Sequence, residues 1–289
     1  MGKAKLKSLL RYPGGKTRAV KFLKKYLSGA SVVCSPFAGG LSMELYLISQ
    51  GVKTKAYDLF EPLVIFWSCL LEDRARLARQ VGKFLPVVTK EDFYRLRGTL
   101  LQLKDPWDIA SIYYVLNRTS FSGATLCAGF SPLENGKNGR FKPSNVEALG
   151  NFSVPDNLLT VELAAFEDSV LGSPASRLYL DPPYMIDSKL YGNRGDLHHI
   201  DHALLAEMLH SRENWVLSYN DCNQIRRMYG DFCILDSIEW AYGMNRNKQS
   251  NELLILSNDI ADEVGVSTRL YKRISTHRST AAPHMTMMK

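Results

Sequence analysis

Apolar residues recur along this chain with two periods, and their alternation predicts most of the architecture. In TRAVKFLKKYL, Val20, Leu23, Tyr26 and Leu27 fall at helical spacing with lysines between them, which predicts an amphipathic helix. ASVVCSPFAGG follows as a short β-branched strand over Val32 and Val33 that runs into a Gly-Gly turn, and SMELYLISQ reads as a helix. KTKAYDL is a second strand, ending on Asp58. Two strand-turn-helix units in succession imply a parallel sheet with crossover helices, an α/β fold.

From about residue 60 to 165 the alternation stops. LVIFWSCLLEDRARLARQV and PWDIASIYYVLN carry helical patterns, and SGATLCAGFSPLENGKNGRFKPSN, rich in Gly, Asn, Ser and Pro, reads as an exposed loop or hairpin on a largely helical insertion. The earlier pattern returns with the strand of SRLYLDPPY, the helix DHALLAEMLHS, the strand NWVLSYN and the helix NQIRRMYG. FCILDSIEW and ELLILSN then flank a polar, basic tip, GMNRNKQSN, as in an antiparallel hairpin. Residues 261–289 have little periodicity and are expected to form a flexible tail.

Composition narrows the class. The 289 residues are 45% hydrophobic and 22% charged, ordinary globular values, and no apolar run reaches the roughly 20 residues that cross a bilayer. With basic residues but no apolar core in the first segment, a cytoplasmic protein without a membrane association is expected. The net charge of +7 favours a polyanionic partner. Five scattered cysteines without a C-x-x-C pair predict reduced, mostly buried thiols. His198 and His202 lie one helical turn apart, but the glutamate of H-E-x-x-H is missing, so no metal is expected. Gly14, Gly15 and Lys16 lack the spacing of a nucleotide-binding P-loop.

The stretch RLYLDPPYMID carries the candidate chemistry. Asp181 sits where the apolar run ends, the position at which open α/β sheets bind ligands. Pro182 and Pro183 hold Asp181 and the Pro182 carbonyl in one extended geometry. Two rigid acceptors suit an NH2 group with two donors, and the ring of Tyr184 suits a flat heterocycle. The constellation fits the exocyclic amine of a base.

DPPY, with RYPGGK before it, PFAGG after the first strand and NELLIL near the end, resembles the Dam-like family of DNA adenine-N6 methyltransferases, over most of residues 8–257 and in the order of the α-group. The resemblance implies a Rossmann-like methyltransferase sheet with a C-terminal antiparallel hairpin and an inserted, mostly helical DNA-recognition domain. Residues 1–60 and 166–260 would be the S-adenosylmethionine-binding catalytic domain and 61–165 the target-recognition insertion. It also implies that Asp181, Pro182, Pro183 and Tyr184 carry catalysis on a flipped adenine. Tyr12, Lys16, Phe37, Ala38, Gly39, Gly40, Asp58, Phe166, Asp181 and Tyr191 would contact the cofactor, with Asp58 on its ribose. Asn117, Arg118, Ser120, Ser122, Lys137, Arg140 and Lys142 of the insertion, with Arg246 and Lys248 of the hairpin tip, would meet duplex DNA.

Three positions depart from the family pattern: Ser35 replaces an acid, Leu41 a third glycine and Ala165 an acid before Phe166. Leu126 stands where members that read GATC carry an arginine, so that target is not expected. The resemblance leaves room for a cognate restriction endonuclease acting on the same site and points to no obligate protein partner. Two alternatives remain open at this point. One keeps the fold and changes the acceptor to cytosine N4, RNA or a protein amide; the other is a DNA-binding protein with impaired catalysis.

Overall fold

The computed structural model describes residues 6–85, 88–131, 141–185, 200–235, 240–241, 249–250 and 252–266. Helix α1 (Val20–Leu27) leads into β1 (Val32–Ser35), α2 (Ser42–Ser49) and β2 (Lys53–Asp58), the two strand-turn-helix units expected from the pattern. The helical stretch comprises α3 (Glu61–Glu72), α4 (Arg74–Gly82), α5 (Lys90–Thr99), α6 (Pro106–Thr119) and α7 (Pro143–Gly150). Its starts are set locally. Asp73 caps α4, Thr89 and Asp92 form a capping box on α5, and Asp105 caps α6 ahead of Pro106 at the first helical position.

The remaining elements are β3 (Leu159–Leu163), α8 (Phe166–Leu171), β4 (Arg177–Leu180), α9 (His202–His210), β5 (Trp215–Asn220), α10 (Asn223–Met228) and β6 (Cys233–Leu235). A two-residue ribbon pairs β7 (Trp240–Ala241) with β8 (Gln249–Ser250), and β9 (Glu252–Leu256) and α11 (Asn258–Glu263) follow.

Seven strands form one sheet in the order β3-β2-β1-β4-β5-β9-β6. The first five are mutually parallel, while β9 runs antiparallel to both β5 and β6. This is the Rossmann-like sheet with a terminal antiparallel hairpin. After β1 the chain order reverses, with β2 on one side and β4 on the other, so the crevice for a ligand opens at the carboxyl ends of these strands. One face packs on α1, α2 and α11 through Leu23, Leu27, Val33, Leu47, Tyr179, Val216 and Leu254. The other packs on α8, α9 and α10 through Val170, Leu178, Leu180, Leu209, Leu217 and Ile225.

Three features differ from the sequence reading. Strand β3 lies within the stretch read as helical and pairs with β2 from Thr54↔Leu159 to Asp58↔Leu163. Its alternation was present, with Leu159 and Val161 buried between more exposed neighbours, but over too few residues to stand out. KPSN was assigned to a loop, whereas Pro143 opens α7, where its missing N–H costs nothing. The expected flexible tail is a correction at its start. Residues 261–266 complete α11 and its end, with Val266 N–H bonded to Ala261 O at 2.8 Å and Glu263 paired with Arg177. Residues 267–289 lie outside the described residues.

Candidate active site at the carboxyl edge of the sheet

The chain reaches the crevice through its first turn. Gly15 N–H donates to Tyr12 O at 3.0 Å, with Pro13 and Gly14 between them and Gly14 at φ 76°, a turn that needs glycine at its third position. The Tyr12 side chain lies against the turn after β1: a Cβ on Gly39 or on Gly40 would come within 2.9 Å of it. Both glycines are therefore required by close approach, and Gly39 also by its φ of 46°.

Leu41 also takes a left-handed conformation, with φ 54°. A side chain in that region costs about 1–2 kcal/mol. Leu41 is fully buried, and burial of a leucine offsets roughly that amount. The missing third glycine therefore leaves the turn intact.

Asp58, at the end of β2, binds this turn to its own strand. Its carboxylate accepts Gly39 N–H at 3.0 Å through Oδ2 and Phe60 N–H at 2.9 Å through Oδ1. Phe37 and Phe166 stack with ring centroids 5.8 Å apart and planes at 29°, so the two expected aromatic contacts form one wall. Ala38 is buried beside them.

A polar cluster fills the face of the sheet toward α2. Strand register carries Ser35, Asp181, Ser218 and Glu252 to that face, because each lies two residues from a neighbour whose side chain packs there: Val33, Tyr179, Val216 and Leu254. Lys16, 4% exposed, enters from the first turn and stands 2.7 Å from Asp181 Oδ1 and 3.2 Å from Glu252 Oε1. Its Nζ also donates to Tyr184 Oη at 2.7 Å, and the Tyr184 hydroxyl bonds Glu252 Oε1.

From α2, Glu44 accepts the Ser35 hydroxyl at 2.6 Å. A carboxyl group thus stands beside residue 35 although the strand itself lacks the family's acid. Burial dominates the electrostatics. It pushes Glu44 up to about 7, with Ser35 opposing, and Glu252 up to about 8, with Lys16 opposing. Asp181 is also raised by burial, against the lowering effects of Lys16 and the Ser218 hydroxyl. The buried hydroxyl of Tyr179 has no hydrogen-bond partner among the described residues.

Two carboxyl groups share one ammonium, with Glu44 facing Asp181 and the Tyr179 hydroxyl unsatisfied among the described residues, an acidic surrounding that suits a cationic, polar ligand. S-adenosylmethionine, with a sulfonium and an ammonium, fits that chemistry. Pro182 is buried and Pro183 half-buried, and the segment after Tyr184 is fixed by Asn220, whose Nδ2 donates to Met185 O at 3.1 Å. Tyr184 also faces Tyr219, with centroids 6.2 Å apart, and the Tyr219 hydroxyl bonds His202 Nδ1. His198 and His199 lie outside the described residues.

Residues 117–125 pack against the segment that precedes the first turn. Asn117 and Ser120, expected near DNA, are both fully buried. Asn117 accepts Arg11 N–H at 2.9 Å and donates to Arg11 O at 2.7 Å and Gly123 O at 2.9 Å, while Ser120 Oγ accepts Thr125 N–H at 3.1 Å. Buried backbone groups of two meeting segments need partners, and these side chains supply them.

Arg118 and Ser122 are half-exposed and Lys142 is exposed. Between Ser120 and Ser122, Phe121 is 64% exposed, an aromatic that the polar composition of its neighbours hid. Tyr191, Lys137, Arg140, Arg246 and Lys248 lie outside the described residues. Cys34, Cys69 and Cys233 are buried, whereas Cys127 is exposed.

Sequence reasoning assigned no role to Glu44 or Glu252. Each had a signal, a lone acid in the otherwise apolar SMELYLIS and in ELLIL.

Among the described residues no helix is long and apolar enough to cross a membrane. A comparison with curated proteins finds no match. Residues 12–244 match the family described as D12 class N6 adenine-specific DNA methyltransferase, a span that runs from Tyr12 of the first turn, through Asp58 and the helices after it, to the far side of Asp181. The sheet order agrees with that match, and the chain belongs to the D12 class of N6 adenine-specific DNA methyltransferases.

Proposed function

We propose that this enzyme methylates N6 of an adenine flipped out of duplex DNA, with Asp181 and the Pro182 carbonyl accepting the two N–H groups of the base. The observation that carries the reading is the position of Asp181. It stands at the carboxyl end of β4, beside the reversal point of the sheet, with its side chain 21% exposed and thus reachable from outside.

When bound, S-adenosylmethionine supplies an electrophilic methyl group on sulfur. Asp58, held by Gly39 and Phe60, accepts ribose hydroxyls; the Phe37–Phe166 wall and Ala38, Gly39 and Gly40 shape the adenosine side, with Tyr12, Lys16 and Tyr191 completing it. Asp181 and Pro182 localise the lone pair of the amine and orient it. Asp181 takes up the proton after the N–C bond begins to form. Its raised affinity for protons assists that step. Tyr184 offers the ring against which the base stacks, and Pro183 keeps the turn stiff.

The duplex lies across the insertion and the hairpin. Arg118, Ser122 and Lys142, with Lys137, Arg140, Arg246 and Lys248, contact the backbone, and the exposed ring of Phe121 stacks on a base. Residues 61–165 serve as the target-recognition region, except that β3 within them belongs to the sheet. A cognate restriction endonuclease reading the same site is compatible with this activity. Transfer of labelled methyl to DNA by Asp181→Ala tests the reading: a fall of at least about a thousandfold with the fold retained is expected, and near-normal transfer refutes it.

A further inference from the structure

The proposed chemistry needs Asp181 to accept a hydrogen bond from the base, but Asp181 Oδ1 already receives Lys16 Nζ at 2.7 Å. An amine that arrives at Oδ1 competes with that ammonium. Lys16 is 4% exposed, so release into water would require the whole side chain to leave the interior. A second carboxyl group stands beside it: Glu252 Oε1 is 3.2 Å from the same nitrogen, and the Glu252 side chain is 1% exposed. Its hydroxyl neighbour Tyr184 bridges both groups, since Tyr184 Oη accepts from Lys16 and bonds Glu252.

We propose that Glu252 is a positioning residue that takes the Lys16 ammonium when a base amine occupies Asp181. The inference rests on the methyltransferase reading of Asp181. Among the described residues, the charged and titratable groups facing Glu252 include Lys16 from the first turn, Asp181 beyond β4, Tyr184 after it and Tyr179 within β4; Glu44 on α2 faces Asp181. Lys16 favours the ionised carboxylate, while burial and Asp181 oppose it, so the second seat for the cation becomes charged as pH rises through about 8.

Single-turnover transfer of labelled methyl to DNA, followed from pH 6.5 to 9.5, tests this on wild type, Glu252→Gln and Glu252→Asp. Wild-type transfer is expected to rise through about pH 8. The neutral Gln cannot draw Lys16 away, so Glu252→Gln should lose that rise and fall about a hundredfold at the plateau. Glu252→Asp, which keeps the charge, should recover part of the rate and the rise. Two outcomes overturn the proposal: a Glu252→Gln profile that keeps the wild-type rise, or equal losses in both variants. Calorimetry with S-adenosylmethionine on the wild-type protein separates the two levels. Binding with an unaltered Glu252→Gln profile sinks this inference alone, whereas absent binding sinks the methyltransferase reading beneath it.

Discussion

At the amino end of β4, Arg177 donates to Glu263 Oε2 at 2.6 Å, to Tyr26 O at 2.9 Å and to Asn214 Oδ1 at 2.8 Å. At the carboxyl end of the same strand, Lys16 serves Asp181 and Glu252 at once, with Glu44 nearby and the Tyr179 hydroxyl unsatisfied. Both ends bury a cation, the first beside one acid and the second between two. The guanidinium fork at the first finds a matching acceptor for each nitrogen, and the arrangement is complete without a ligand. The ammonium at the second is outnumbered by carboxyl groups whose protonation burial has altered. Complete satisfaction ties elements together, whereas a cation shared between two acids can be redistributed between them.

Substitutions at the two ends should separate activity from stability. The largest effect is expected from Asp181→Asn, which keeps the shape but loses the carboxylate: methyl transfer should fall by about a thousandfold or more while the thermal midpoint stays within a few degrees. Arg177→Ala should do the reverse. Removing the guanidinium strands Tyr26 O and Asn214 and should cost about 2–3 kcal/mol in denaturant unfolding, with single-turnover transfer unchanged at a temperature where the variant is folded. A large loss of transfer in folded Arg177→Ala would show that the two ends are coupled and would break the comparison.

Glu44→Gln sharpens it. Because the folded protein holds the Glu44 proton up to about 7 against 4.5 ordinarily, this group's contribution to stability is intact below about pH 4.5, is lost as pH rises to about 7, and stays lost above. The variant keeps a partner for Ser35 but no charge. It should match wild type near pH 4.5 and exceed it at pH 8 by up to about 3 kcal/mol, measured by urea unfolding at both values. Phe121→Ala touches neither end. It should weaken duplex binding by about tenfold in a fluorescence titration, with the unfolding midpoint unchanged.

What the sequence disclosed and what it hid follow from the range of the interactions. Strands β1, β2, β4 and β5 and the helices between them were legible because burial imprints a period on neighbouring residues. Asp181 was legible because two prolines mark the place where a strand stops. The pairing of Lys16 with Asp181 and Glu252 was not, since residues 16, 181 and 252 meet only through sheet order and the turn at Gly15. The burial of Asn117 and Ser120 was hidden for a related reason. A polar residue in a loop resembles a surface residue until the backbone it must satisfy, here that of Arg11 and Thr125, is known.

The tie between Asn117 and Arg11 bears on how such an enzyme could acquire a new target. Gly123 packs so tightly that a Cβ there would lie 2.2 Å from Arg11 O, and Asn117 clasps both. Arg11 adjoins Tyr12, which rests on the glycines of the first strand's turn. If residues 118–122 read DNA as proposed, diversification there is confined to outward positions such as 118, 121 and 122, while changes at 117 or 123 would disturb the packing of Arg11. A library built to redirect specificity should leave those two codons alone.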